Sequence, residues 1–196
     1  SSFTVEENQT SAANITVTDA DSDSISFSLS GTDADSFAIS SSGALTFNNA
    51  PDYETKDSYS LIITASDGTA SVSQTVTITI SNINEVPQIS ALSSNQLPDE
   101  NQVSVVTVSA SDPDASTTLA YSLSGTDSSL FAISSSGVIT FSSAPDYETP
   151  GDADGDNNYQ INVVVSDGSL SVTQAITIQV QNVADLISGV AVDGYV

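Results

Sequence analysis

The chain states one long block twice. Ser28–Thr55 reads SLSGTDADSFAISSSGALTFNNAPDYET, and Ser122–Thr149 reads SLSGTDSSLFAISSSGVITFSSAPDYET, displaced by 122 − 28 = 94 positions. That period is too long for a solenoid unit, which runs roughly 20 to 50 residues. It is close to the roughly 100 residues of a small β-sandwich. The repeat therefore predicts two similar domains in tandem, with boundaries at 1–86 and 87–185, and a stretch 186–196 that opens another segment or a linker.

Local patterning sets the fold class. Ser24–Ser30 (SISFSLS), Thr75–Ser81 (TVTITIS) and Ala175–Gln181 (AITIQVQ) alternate polar and apolar residues strictly. Period-two alternation rich in Val, Ile, Thr and Phe builds half-buried strands, and no segment offers a helical period. In the first copy strands are predicted near Phe3–Val5, Ile15–Thr18, Ile25–Ser30, Phe37–Ser40, Ala44–Phe47, Ser58–Ser66 and Ser73–Ser81. In the second they fall near Val103–Ala110, Leu119–Ser124, Phe131–Ser134, Val138–Phe141, Tyr159–Ser166 and Leu170–Gln181. Short strands at this spacing predict an all-β chain of two seven-stranded, immunoglobulin-like Greek-key sandwiches. Gly43 and Gly137 close the turns between the fourth and fifth strands, where a positive φ is needed.

Charge excludes whole classes of partner. The formal net charge is −24, with 25 acidic residues, Lys56 as the single basic one, and no His, Cys or Met. Such a chain cannot neutralise phosphates, which removes nucleic acids and anionic membranes. No apolar run approaches the roughly 20 residues that span a bilayer, so membrane insertion is not expected. Without His or Cys, and with no Ser in a Gly-x-Ser-x-Gly setting, nucleophilic catalysis has no components. The acids fall in turns and lack the aromatic lining of a substrate cleft, so no enzyme is expected. Phe27, Phe47 and Tyr121 alternate with polar neighbours and read as core, whereas Tyr53 and Tyr147 stay ambiguous between core and surface. Asn8-Gln9-Thr10 and Asn14-Ile15-Thr16 are glycosylation sequons, relevant only in a secretory host.

Strand direction places the acids. If successive strands run antiparallel, seven of them carry the chain in at one end of a sandwich and out at the other, so consecutive domains stack end to end. Glu7, Asp52 and Glu54 then lie at the exit end of the first domain, followed by the linker Asn84-Glu85. Asp112, Asp114 and Asp167 lie at the entry end of the second. Like charges about 4 Å apart repel by roughly 4 kcal/mol at an effective dielectric near 20, so such a cluster calls for cations. Oxygen-only ligands select Ca²⁺, which takes about 6–8 of them; Zn²⁺ and Cu²⁺ favour the absent Cys and His.

These motifs resemble tandem cadherin repeats, in particular the cadherin-like repeats of very large bacterial (RTX-type) surface adhesins. Asp19-Ala20-Asp21 and Asp112-Pro113-Asp114 are similar to the family's Asp-x-Asp. Asp52-Tyr53-Glu54 and Asp146-Tyr147-Glu148 are similar to its Asp-Arg-Glu, with Tyr in place of Arg. Glu7-Asn8 and Glu100-Asn101 resemble the Glu-Asn near a repeat start, Asn84-Glu85 the linker Asn-Asp, and Asp67 and Asp167 the late Asp. The resemblance implies extracellular domains stiffened by Ca²⁺ at their junction, serving as an extender of a cell-surface adhesin in biofilm or adhesion. Ca²⁺-dependent binding of polysaccharide or of another cadherin-like protein is the alternative. Two departures stand out. Ala184 replaces the linker Asn after domain two, and Asp19, Asp21 and Asp67 would be ligands only beneath a preceding domain.

One further acidic stretch has no counterpart in the first copy. Gly151–Asn158 (GDADGDNN) carries Asp152, Asp154 and Asp156 at alternate positions, like the opening of an EF-hand loop. Its Gly is misplaced and no Glu stands at the twelfth position, so it is not that motif. A polar surface loop and a local Ca²⁺ site both remain open readings.

Overall fold

In the first unit, Ser1–Asn84, alternating sequence becomes two facing sheets. The computed structural model describes residues 1–114 and 117–184. Strands β1 (Ser2–Glu6), β3 (Ser26–Ser30), β6 (Ser58–Ser66) and β7 (Ser71–Ser81) form one sheet in the order β1-β7-β6-β3. The other holds β2 (Ser11–Asn14), β5 (Ala44–Phe47) and β4 (Phe37–Ile39), in the order β2-β5-β4. β1 runs parallel to β7, and every other pairing is antiparallel. That parallel pair is what an odd number of alternating strands demands of its first and last members, so entry and exit lie at opposite ends.

The pleat sorts side chains as the sequence predicts. Val76, Ile78 and Ile80 of β7 are buried with Leu61 and Ile63 of β6, against Leu45, Phe47 and Phe37 of the opposite sheet. Burying each such side chain contributes about 1.5–3 kcal/mol. Phe37, Phe47 and Tyr59 pack as an aromatic trio with centroids 4.5–5.6 Å apart. Tyr53 packs on this core, which answers its ambiguity; Tyr147 is 38% exposed.

The second unit, from Glu85 onward, repeats the plan. Its strands are β8 (Gln88–Ser90), β9 (Asn95–Gln96), β10 (Ser104–Thr107), β11 (Ser109–Ser111), β12 (Ala120–Ser124), β13 (Phe131–Ile133), β14 (Val138–Phe141), β15 (Asn158–Ser166) and β16 (Ser171–Gln179). They assemble as β12-β15-β16-β9, β10-β14-β13 and a short β11-β8 pair. Phe131, Phe141 and Tyr159 rebuild the aromatic trio over Ile161, Val163, Ile176 and Ile178.

Two differences from the sequence reading have a local cause. The second strand of domain one is Ser11–Asn14, not Ile15–Thr18. Gly43 accounts for the end of that ladder: its carbonyl takes the Ile15 N–H at 2.8 Å, and its φ of +83° turns the chain there. In domain two Gly137 does the same to Val108, splitting the predicted Val103–Ala110 strand into β10 and β11. The first strands of domain two, β8 and β9, escape a pattern search because they are two or three residues long and carry Asn and Gln. The expectation for 186–196 lies outside the described residues.

Candidate metal centres

Each domain gathers a carboxylate triplet at its exit end. In domain one Glu7, Asp52 and Glu54 bring ligand oxygens within 4.8 Å of one another, and in domain two Glu100, Asp146 and Glu148 do so. Glu7 follows β1 and is 2% exposed. Its Oε2 accepts the Tyr53 N–H at 2.9 Å and its Oε1 the Ile83 N–H at 2.8 Å. Glu100 accepts from Tyr147 at 3.0 Å and Val183 at 2.8 Å in the same way. One buried carboxylate thus ties the Asp-Tyr-Glu turn to the departing chain in both domains. The Tyr147 N–H, then the Val183 N–H, hold Glu100 below the ordinary glutamate value. Asn82 Nδ2 donates to Glu54 Oε1 at 2.9 Å, and Asn182 Nδ2 to Glu148 Oε1 at 2.7 Å.

The entry ends are built from Asx turns. Asp112 Oδ1 accepts the Asp114 N–H at 2.9 Å, and Asp114 Oδ2 accepts the Glu85 N–H at 2.9 Å. Asp112 Oδ2 is shielded from solvent and has no hydrogen-bond partner among the described residues. Asp167 Oδ1 takes the N–H groups of Ser169 and Leu170. In domain one Asp19 Oδ1 accepts from Asp21 and Asp23, and Asp67 Oδ1 accepts from Thr69 and Ala70. The bonds from Ala70, then Thr69, hold the Asp67 carboxyl below the ordinary aspartate pKa. Asp19 and Asp67 line one shallow hollow beside Val17 and Val72, whereas Asp21 is exposed outside it. Asn84 is exposed at the end of the first unit.

Asp152, Asp154 and Asp156 form a further triplet, their oxygens again within 4.8 Å. Burial acts to raise Asp152, but N–H donors from Asp156 and Asn157 and a hydrogen bond with Asp154 outweigh it and leave it lowered. The Asp152 hydrogen bond, then the Asp156 charge, raise Asp154.

Sequence reasoning missed a pair of carboxylates that serve the backbone. Asp33 Oδ2 accepts the Ser60 N–H at 2.7 Å while Oδ1 meets Lys56 Nζ. Asp127, 5% exposed, accepts the Gln160 N–H at 2.7 Å and the Ala153 N–H at 3.0 Å. Both lie in the repeated SLSGTD, and that duplication was the available signal.

The Greek-key sandwiches and their acidic ends define the class to which this chain belongs, that of tandem β-sandwich domains with carboxylate clusters at their ends. The cadherin domain profile matches residues 1–81 and 94–181, and the chain belongs to the cadherin family. Cadherin domains are extracellular, non-enzymatic adhesion and structural modules that bind Ca²⁺ at interdomain junctions. Among solved structures, human protocadherin-24 EC1-2 (form II) is similar at 22% identity and a TM-score of 0.65, covering 92% of this chain and 94% of that one. Mouse cadherin-23 EC22-24 is similar at 26% identity and a TM-score of 0.60, covering 93% and 62%. Drosophila N-cadherin EC1-4 is similar at 21% identity and a TM-score of 0.61, covering 92% and 47%. Among curated protein sequences, none matches this chain. No helix of the described residues is long and apolar enough to cross a membrane.

Proposed function

We propose that the two domains are extender modules of a large bacterial surface adhesin, stiffened by Ca²⁺ where one domain follows the other. The observation that carries this reading is the exit-end triplet Glu7, Asp52 and Glu54, together with the oxygen ligands of the linker Asn84-Glu85 and of the Asp112-Pro113-Asp114 turn at the entry end of domain two. The donor set fits the ion. It is made of hard oxygens alone, and the shielded Asp112 Oδ2 has no hydrogen-bond donor among the described residues, which fits an oxygen that faces a cation. Glu7, Asp52, Glu54, Asn84, Glu85, Asp112, Asp114 and Asp167 would hold the metal. It would supply positive charge that draws mutually repelling acids together.

The remaining candidate ligands, Glu100, Asp146 and Glu148 at the exit end of domain two and Asp19, Asp21 and Asp67 at the entry end of domain one, would serve further junctions in a longer array. Extracellular Ca²⁺ modules bind at roughly 10⁻⁴–10⁻³ M, so the array would be loose at cytosolic Ca²⁺ and stiff outside the cell. The bacterial setting is supported by the cysteine-free, almost lysine-free composition.

Small-angle X-ray scattering of the chain in millimolar Ca²⁺ and in chelator tests this. A rigid rod that becomes a broad ensemble on chelation supports the extender; identical profiles refute it. Sedimentation in the same buffers separates the rival reading, since homophilic adhesion requires Ca²⁺-dependent self-association.

A further inference from the structure

Domain two reaches β15 by a detour that domain one lacks. From Glu54 to the start of β6 is 58 − 54 = 4 positions; from Glu148 to the start of β15 it is 158 − 148 = 10. The extra residues hold Asp152, Asp154 and Asp156. We propose that this loop is a Ca²⁺ site internal to domain two, separate from any interdomain ion and independent of the function proposed above.

The first observation is the triplet itself, with Asp152 only 8% exposed. A buried carboxylate is costly unless hydrogen bonds and an opposite charge or metal compensate it, and the Asp156 and Asn157 N–H groups supply only the hydrogen bonds. No basic residue occurs in domain two to supply that charge, since Lys56 is the chain's only one.

The second observation is independent of the acids. Asn157 is 7% exposed, and its Oδ1 is shielded from solvent with no hydrogen-bond donor. Its Nδ2 donates to Tyr147 O at 2.9 Å, and its backbone N–H donates to Asp152 Oδ1 at 3.2 Å, tying the residue to the loop. A buried amide oxygen without a donor, at the root of a loop of carboxylates, is a ligand for a hard cation.

Domain one shows what the place requires. There Lys56 Nζ pairs with Asp33 and sits 4.6 Å from the Tyr59 ring centroid. In domain two the corresponding Asp127 holds the loop through the Ala153 N–H, and the corresponding Tyr159 hydroxyl accepts the Gly151 N–H at 3.1 Å. The repeat has exchanged a built-in ammonium for a loop of acids, held so far by backbone N–H donors and open to a cation from solution. The backbone agrees: Asn157, sixth from Asp152, adopts the left-handed φ of +62° that Gly supplies at position six of an EF-hand loop. Gly155, at position four, turns the loop as well with a φ of +75°. Oxygen ligands alone with a flexible loop select Ca²⁺ over Zn²⁺.

Calorimetric titration of Ca²⁺ into chelator-stripped chain tests the site, comparing wild type with D154N/D156N. Both positions are exposed, and Asn keeps an acceptor for the Asn158 N–H that Asp156 now binds. The expected result is one Ca²⁺ fewer per chain, with the remaining affinities changed less than about twofold. Unchanged stoichiometry overturns the proposal. An amide ¹H–¹⁵N titration of the wild type guards against misfolding of the variant. Amides 152–158 must shift with Ca²⁺, and still shift in E7Q/D52N; if they stay fixed at millimolar Ca²⁺ there is no site.

Discussion

Replacing Glu7 by Ala separates two roles that a metal ligand usually confounds. Glu7 is 2% exposed and accepts two backbone N–H groups, from Tyr53 and Ile83. Hydrogen bonds to a charged group contribute about 1.5–3 kcal/mol each, so truncation removes about 3–6 kcal/mol; water entering the space recovers part, which leaves about 3 kcal/mol. A domain of this size has roughly 4–13 kcal/mol in total at 0.05–0.15 kcal/mol per residue. At about 4–8 °C per kcal/mol, the domain-one transition should fall by about 12–24 °C. The measurement is differential scanning calorimetry of the whole chain in chelator, where no metal contributes, with E100A as the same lesion in domain two. A fall below about 4 °C in chelator, together with weakened Ca²⁺ binding, would show that Glu7 is a ligand and not a clamp.

Two more outcomes follow from the same geometry. In G137A the added Cβ would stand 2.4 Å from Val108 O at a φ of +81°, so domain two should lose at least the roughly 1–3 kcal/mol of a strained αL residue, read as a lower urea midpoint with unchanged m value. Glu100 is depressed in the fold by the Tyr147 and Val183 N–H groups, so its stabilisation is complete above the ordinary value of 4.5 and is lost as pH falls through the lower folded value. In chelator, the E100Q variant should therefore show a flatter acid limb than wild type over that window.

How much of this could be read beforehand depends on the length scale of each feature. The repeat, the sandwich and the gathering of Glu7 with Asp52 and Glu54 were legible, because strand alternation and strand parity are properties of the chain order itself. β8 and β9 were not, since strands of two or three residues form no period and are specified by their neighbours β11 and β16. The clamp made by Glu7 was invisible for a related reason. Its partners are backbone N–H groups 46 and 76 positions away, and backbone donors leave no mark in a sequence.

Asp33 and Asp127 expose the same gap and close it. The pair lies in the longest repeated block, yet the two copies differ in what surrounds it. Asp33 is balanced by the chain's only cationic side chain, while Asp127 is buried beneath a loop with three further carboxylates and no cation. Each domain has tied the same aspartate to the start of the same strand, at Ser60 and at Gln160, and they differ only in where the compensating charge resides. On this comparison the single lysine is more than a relic of an acidic composition. It marks the place where domain one carries its own cation and where, on the proposal above, domain two borrows one.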